Sequence, residues 1–265
     1  MPESSDKWEA GATYEDFMGR WSRLLAPRFV SWLSVPPAAK WLDVGCGTGA
    51  LADAICATAN PASVVACDPS ESFIEYARQR QLGPRVSFVV SGVGELPTCP
   101  GGFDSATSLL ALNFFPKPED AIDEMRRIIA VNGLVSACVW DYAGRMEFLR
   151  CFWDSVAAMD PSAVELDEGR RFPICRPDAL ESLFREAGLD EVVSDAIEIP
   201  TRFSTFAEFW KPFLGGTGPA PFYVASLDPP QREELATRLE RSLPREPNGA
   251  ISLVARAWVV RGAAH

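Results

Sequence analysis

The chain has 265 residues, 47% of them hydrophobic and 23% charged, enough for one large globular domain or for a domain carrying a substantial insertion. Its 36 acidic and 25 basic residues leave a formal net charge of -11 with the basic ones scattered, which excludes nucleic acid as an expected partner because a phosphate backbone is repelled. An acidic membrane surface is excluded on the same ground, and no uninterrupted apolar run approaches the roughly 18 residues that signal a membrane span.

The opening MPESSDKWEA carries no apolar signal region, so a cytoplasmic location is expected. Next, YEDFMGRWSRLLAPRFVSWL (14–33) places Phe17, Trp21, Leu24, Leu25 and Phe29 on one helical face, predicting an N-terminal helical cap over 1–38. From residue 40 the pattern alternates. Strands are predicted at 41–44, 64–67, 86–90, 103–108 and 134–140, with helices at 51–58, 70–80 and 118–130 between them. In the last of these Ile122, Met125 and Ile129 recur at helical spacing, Pro118 suits the first turn, and Asn132-Gly133 supplies a stop. This alternation predicts a doubly wound α/β fold, a parallel sheet covered by helices on both faces.

Beyond the alternating core (39–141), a helix over 176–189 closes at Gly188, and strands follow at 192–199 and 251–260. Some fifty residues separate those strands, so they form no tight hairpin. Between Phe203 and Tyr223 lie seven of the 28 aromatic residues, beside the glycine and proline cluster LGGTGPAP. They either fill the small core of an insertion (about 200–250) or wall an apolar acceptor pocket, and the two roles are compatible. The segment 142–265 is thus the remainder of the core plus this insertion, and the chain is expected to be effectively one domain. The cysteines at 46, 56, 67, 99, 138, 151 and 175 include no CxxC pair and no zinc-type spacing; they read as small apolar core residues, with no metal expected.

One stretch carries chemistry. In KWLDVGCGTGA (40–50) a short apolar strand runs into Gly45, Gly47 and Gly49, a turn that brings backbone close to a ligand and aims free helix N–H groups at it. The dinucleotide fingerprint GxGxxG needs glycine where Ala50 stands, so pyrophosphate binding is disfavoured. The next strand ends in Asp68, about twenty residues on, where doubly wound nucleotide-binding folds keep a carboxylate for ribose hydroxyls; a helix N-cap is its alternative role.

Taken in order, DVGCGTG, ACDPS, SGVGELP and FDSATSLLALNFFPKPEDAIDEMRRIIAVNGLVSACVWD resemble the class I S-adenosylmethionine-dependent methyltransferases, in particular the branch with the ubiquinone and menaquinone biosynthetic enzymes. The resemblance covers residues 40–141; the flanks resemble bacterial small-molecule methyltransferases of unassigned substrate. It implies a Rossmann-like fold with a seven-stranded, mostly parallel sheet whose last strand is antiparallel. The cofactor would be S-adenosylmethionine, leaving S-adenosylhomocysteine as product. Gly45, Cys46, Gly47, Thr48 and Gly49 would lie against its methionine part, Asp68 on the ribose diol and Pro69 by the adenine. Gly92 and Val93 would face the adenine edge, and the Leu109 carbonyl would meet the ammonium. Family members often carry Asp or Asn where Gly92 stands, which removes a side-chain contact. The N-terminal segment, with Tyr14, Met18 and Trp21 on one face and Arg20 or Arg23 for the carboxylate, would fold over the cofactor.

Methyl transfer from a sulfonium needs alignment above all, worth roughly 7–11 kcal/mol in favourable cases. A hydroxyl acceptor must also lose a proton, and the one histidine is His265, so a histidine base is disfavoured. The remaining catalytic candidates are Asp141, Asn113 and Tyr142, with Trp210, Phe213, Tyr223 and Asn113 as acceptor contacts. The expected partner is a small apolar or aromatic acceptor, and the chain a monomer or homodimer. An alternative keeps the fold and cofactor but gives them a non-methylating or binding role. A nicotinamide dehydrogenase is disfavoured by the glycine spacing.

Overall fold

In the computed structural model of the protein, residues 18–215 and 218–264 are described; Tyr14, Phe17 and His265 lie outside them. Seven strands, β1 (Lys40–Val44), β2 (Ser63–Asp68), β3 (Val86–Val90), β4 (Phe103–Leu109), β5 (Ile129–Trp140), β6 (Asp190–Phe203) and β7 (Ile251–Ala263), form one sheet in the order β3-β2-β1-β4-β5-β7-β6. β1 pairs in parallel with β2 and β4, β2 with β3, and β4 with β5. Strand β7 is antiparallel to β5. The Asn132 N–H donates to the Ala264 carbonyl at 2.7 Å near one end of β5, and the Asp141 N–H donates to the Arg256 carbonyl at 2.9 Å just past the other. The strand order reverses between β1 and β4, the switch point beside which doubly wound sheets bind ligands.

Residue contacts gather the described chain into two compact units. The first holds 18–139, 174–197 and 257–264; the second holds 140–173, 198–215 and 218–256. In the first unit, α1 (Arg20–Leu33) buries Trp21, Leu25, Phe29 and Leu33 and packs on α2 (Ala50–Thr58). Trp41, Phe103 and Phe29 are fully buried there, and each such side chain removed from water stabilises by about 1.5–3 kcal/mol. Helix α3 (Glu71–Arg78) starts at Ser70, whose hydroxyl accepts the Phe73 N–H at 3.4 Å.

One boundary differs from expectation. Helix α4 (Pro118–Ile128) stops before Asn132-Gly133, and β5 begins at Ile129, already paired with Phe103. Asn132 sits inside the strand at φ +64, and a side chain on Gly133 would strike that of Ile129, so the pair bends the strand and does not cap the helix.

The second unit is built on α5 (Glu147–Met159). Phe213 stacks on Phe148 and on Phe152 with ring centroids 4.5 Å away in each case, and Phe203 and Phe209 close the cluster at 5.2–5.6 Å. The insertion supplies the helices Phe206–Trp210, Pro219–Ser226 and Pro229–Ser242, the last opened by an Asp228–Gln231 capping box. None of the described helices is long and apolar enough to cross a membrane.

Candidate functional site

The turn after β1 takes the conformation its glycines allow, with Gly45, Gly47 and Gly49 at φ +73, +50 and +83. A Cβ on Gly45 would come within 2.6 Å of the Ala111 methyl, whereas one on Gly47 would meet nothing within 4 Å. Gly47 therefore faces open space, where a ligand can approach backbone. The loop is tied down on its other side: the Gly45 and Cys46 N–H groups donate to the Cys67 carbonyl at 2.9 and 3.0 Å. Nε of Arg80 donates to the Thr48 carbonyl at 2.5 Å.

Asp68, at the end of β2, joins the loop to its neighbour. Its Oδ2 accepts the Gly47 N–H and its Oδ1 the Ser70 N–H, both at 2.9 Å, which leaves lone pairs on each oxygen. Burial raises its pKa, and the two N–H donors oppose that rise. A second carboxylate, Asp43 in β1, escaped the sequence reading. It is fully buried, and neither of its oxygens has a hydrogen-bond partner of normal geometry. Burial first and the Asp68 charge second push it up to about 8, against a weaker pull from the Ala52 N–H. Of the two acids Asp43 holds the proton, because Asp68 has the donors. The interrupted apolar run of KWLDV was the one available signal.

The other loops leave the same end of the sheet. Gly92 and Val93 follow β3 and are partly exposed, Pro69 is exposed, and a Cβ on Gly92 would be 3.8 Å from that of Pro69, so the missing side chain leaves space. Past Leu109 the chain turns at Leu110, held at φ +61 with its N–H on the Cys138 carbonyl at 2.7 Å. A left-handed leucine costs roughly 1–2 kcal/mol, a strain that concentrates at functional sites. Three residues on, Asn113 is 7% exposed with neither its amide nitrogen nor its oxygen paired, a buried polar group of the kind that waits for a partner.

Gly45, Cys46, Gly47, Thr48, Gly49, Asp68, Pro69, Gly92, Val93, Leu109 and Asn113 thus all lie in the first unit, at the carboxyl ends of its parallel strands. Arg23 is on the exposed face of α1, while the Arg20 guanidinium lies 4.8 Å from the Trp21 ring. Asp141, Tyr142, Trp210, Phe213 and Tyr223 belong to the second unit. There Asp141 is consumed by structure: Arg256 reaches it at 2.6 Å, and the Gly144 and Arg145 N–H groups donate to it at 3.1 and 2.8 Å. Phe213 is fully buried between phenyl rings, so it is a core residue and not an acceptor contact. Tyr142 is buried against Phe172, and Tyr223, with its hydroxyl 3.4 Å from Asp160, is pushed up to about 12 by burial and by that carboxylate. Trp210 is half-buried.

A seven-stranded sheet of this order, mostly parallel with an antiparallel last strand and flanked by helices, is a Rossmann-like methyltransferase fold. Residues 42–133 match the methyltransferase domain family. The chain is 33% identical over 114 residues to the demethylmenaquinone methyltransferase of Clavibacter sepedonicus and 30% identical over 115 to the ubiquinone/menaquinone biosynthesis C-methyltransferase UbiE of Cereibacter sphaeroides, in each case across 42% of this chain and 46% of the relative. The chain spans about half the length of the curated relatives it matches. The YcgJ protein of Bacillus subtilis shares the fold, with a TM-score of 0.58 at 16% identity over 93% of this chain and 99% of its own.

Proposed function

We propose that the chain binds S-adenosylmethionine over its glycine turn and transfers the methyl group to a small apolar or aromatic molecule. The observation that carries this is the hydrogen bond from the Gly47 N–H to Asp68, which joins the loop and the strand-end acid into one cradle beside open space. Bound there, the cofactor supplies an activated methyl carbon. The turn 45–49 offers backbone to its methionine part, Asp68 its free lone pairs to the ribose, Pro69, Gly92 and Val93 a shallow wall for the adenine, and Leu109 a carbonyl for the ammonium. Tyr14 and Arg23 remain the proposed N-terminal contacts. The unpaired Asn113 amide of the first unit is assigned to the acceptor. A quinol-type ring is the acceptor class that the named relatives favour.

Calorimetry with S-adenosylmethionine, S-adenosylhomocysteine and NAD tests the cofactor; binding of NAD alone overturns the reading. Labelled methyl donor, offered with demethylmenaquinone, smaller quinols, phenols and amines, tests transfer.

A further inference from the structure

The carboxyl ends of β1, β2 and β3 stand in a row within the first unit, the glycine turn after β1 and Asp68 closing β2. Asp68 and Val90 are partners across β2 and β3, so the chain that leaves β3 emerges beside the acid proposed for the ribose. The Ser91 N–H donates to the Asp68 carbonyl at 3.1 Å and ties the two exits together. A nucleoside with its ribose on Asp68 and its amino-acid part over the turn therefore carries its base toward residues 91–95.

A site discriminates strongly between bases when polar side chains meet their exocyclic groups, because the wrong base then leaves a polar group unpaired. The stretch SGVGE (91–95) supplies little of that kind. The Ser91 hydroxyl donates to the Glu95 carbonyl, and Glu95 itself is exposed. A Cβ on Gly92 would meet only that of Pro69, at 3.8 Å, and one on Gly94 would meet nothing within 4 Å. Helix α4 packs on the Val93–Glu95 turn, and the side chains it buries, Ala121, Ile122, Met125 and Ile128, are all apolar. Pro69 and Gly94 are exposed, so this edge opens to water.

We propose that the base subsite leaves the exocyclic amino group of adenine unread, so that the chain accepts S-adenosyl cofactors alkylated at that nitrogen, with Gly92 and Gly94 as the positions that set this tolerance. This rests on the cofactor reading above. A side-chain acceptor at the edge would bond the amino N–H, and an alkyl group there would cost both that bond and a collision. With hydrogen in place of a side chain at 92 and 94 neither penalty arises, and the substituent has open space to enter. The edge can also be refilled without disturbing the fold. Gly92 lies at φ -103 and ψ 179, extended backbone that any residue adopts, and 3.8 Å is an ordinary van der Waals contact.

Calorimetry on the full chain tests this with S-adenosylhomocysteine and two derivatives of it, dimethylated or benzylated on the exocyclic nitrogen. Expected for wild type are three affinities within about fivefold of one another, since no hydrogen bond is lost. Gly92→Asp puts an acceptor at the edge: S-adenosylhomocysteine should then bind roughly tenfold tighter, and the dimethyl derivative, with no N–H to donate, should fall at least tenfold behind it. A wild type that binds either derivative more than fivefold more weakly than S-adenosylhomocysteine overturns the proposal. So does a G92D that discriminates no more than wild type, because residue 92 then does not face the base. If G92D does not fold, Gly92→Asn, a neutral acceptor, carries the same comparison. A wild type that binds none of the three refutes the proposed function itself, a result separate from these.

Discussion

Replacing Asp43 by asparagine keeps the shape of the side chain and removes its charge at every pH. Asp43 titrates at about 8 in the folded chain against 3.8 for an ordinary aspartate, because burial and the Asp68 charge both oppose ionisation. A carboxyl whose folded pKa lies above its unfolded value contributes its full share of stability below pH 4, and loses it as pH rises toward 8. The loss runs at about 1.4 kcal/mol per pH unit, or about 2–3 kcal/mol between pH 5 and pH 7. Asparagine escapes it, so D43N gains on wild type as pH rises, whatever fixed cost its unpaired amide adds. Urea unfolding at pH 5, 6, 7 and 8, followed by circular dichroism, measures that difference. A gap that stays flat across this range would mean that Asp43 is charged in the fold throughout, and the reasoning fails.

Asp68→Ala removes both the proposed ribose acceptor and the clamp on Gly47; S-adenosylhomocysteine affinity should drop by about 30–100-fold, roughly 2–3 kcal/mol, in calorimetry. Gly47→Ala fits without a clash but at φ +50, so it should cost about 1 kcal/mol of stability while cutting cofactor affinity far more. Gly45→Ala, which meets the Ala111 methyl at 2.6 Å, should lower stability further than G47A in the same melt. Phe213→Ala should cost about 3–5 kcal/mol in denaturation and leave cofactor affinity unchanged; a weakened cofactor with unchanged stability would contradict its core role.

The first unit was legible because its signals are local. The turn 45–49 and Asp68 lie within two adjacent strands, and glycine spacing reports backbone conformation directly. The ion pair of Asp141 was not legible because its partner Arg256 is 115 residues away, and nothing near DYAG announces a guanidinium. The start of β5 was misplaced because Asn-Gly usually ends a helix, whereas here Ile129 was already committed to Phe103 across the sheet. The aromatic stretch showed its composition but not its orientation, and it took packing to separate Phe213 from Trp210.

The glycine turn is anchored to Cys67, Asp68 and Arg80 before any ligand arrives. A floor already set needs no ordering on association, so little conformational entropy is lost there and the encounter should be a single kinetic step. Weakened variants of the turn should then differ in how long the cofactor stays and hardly in how fast it arrives.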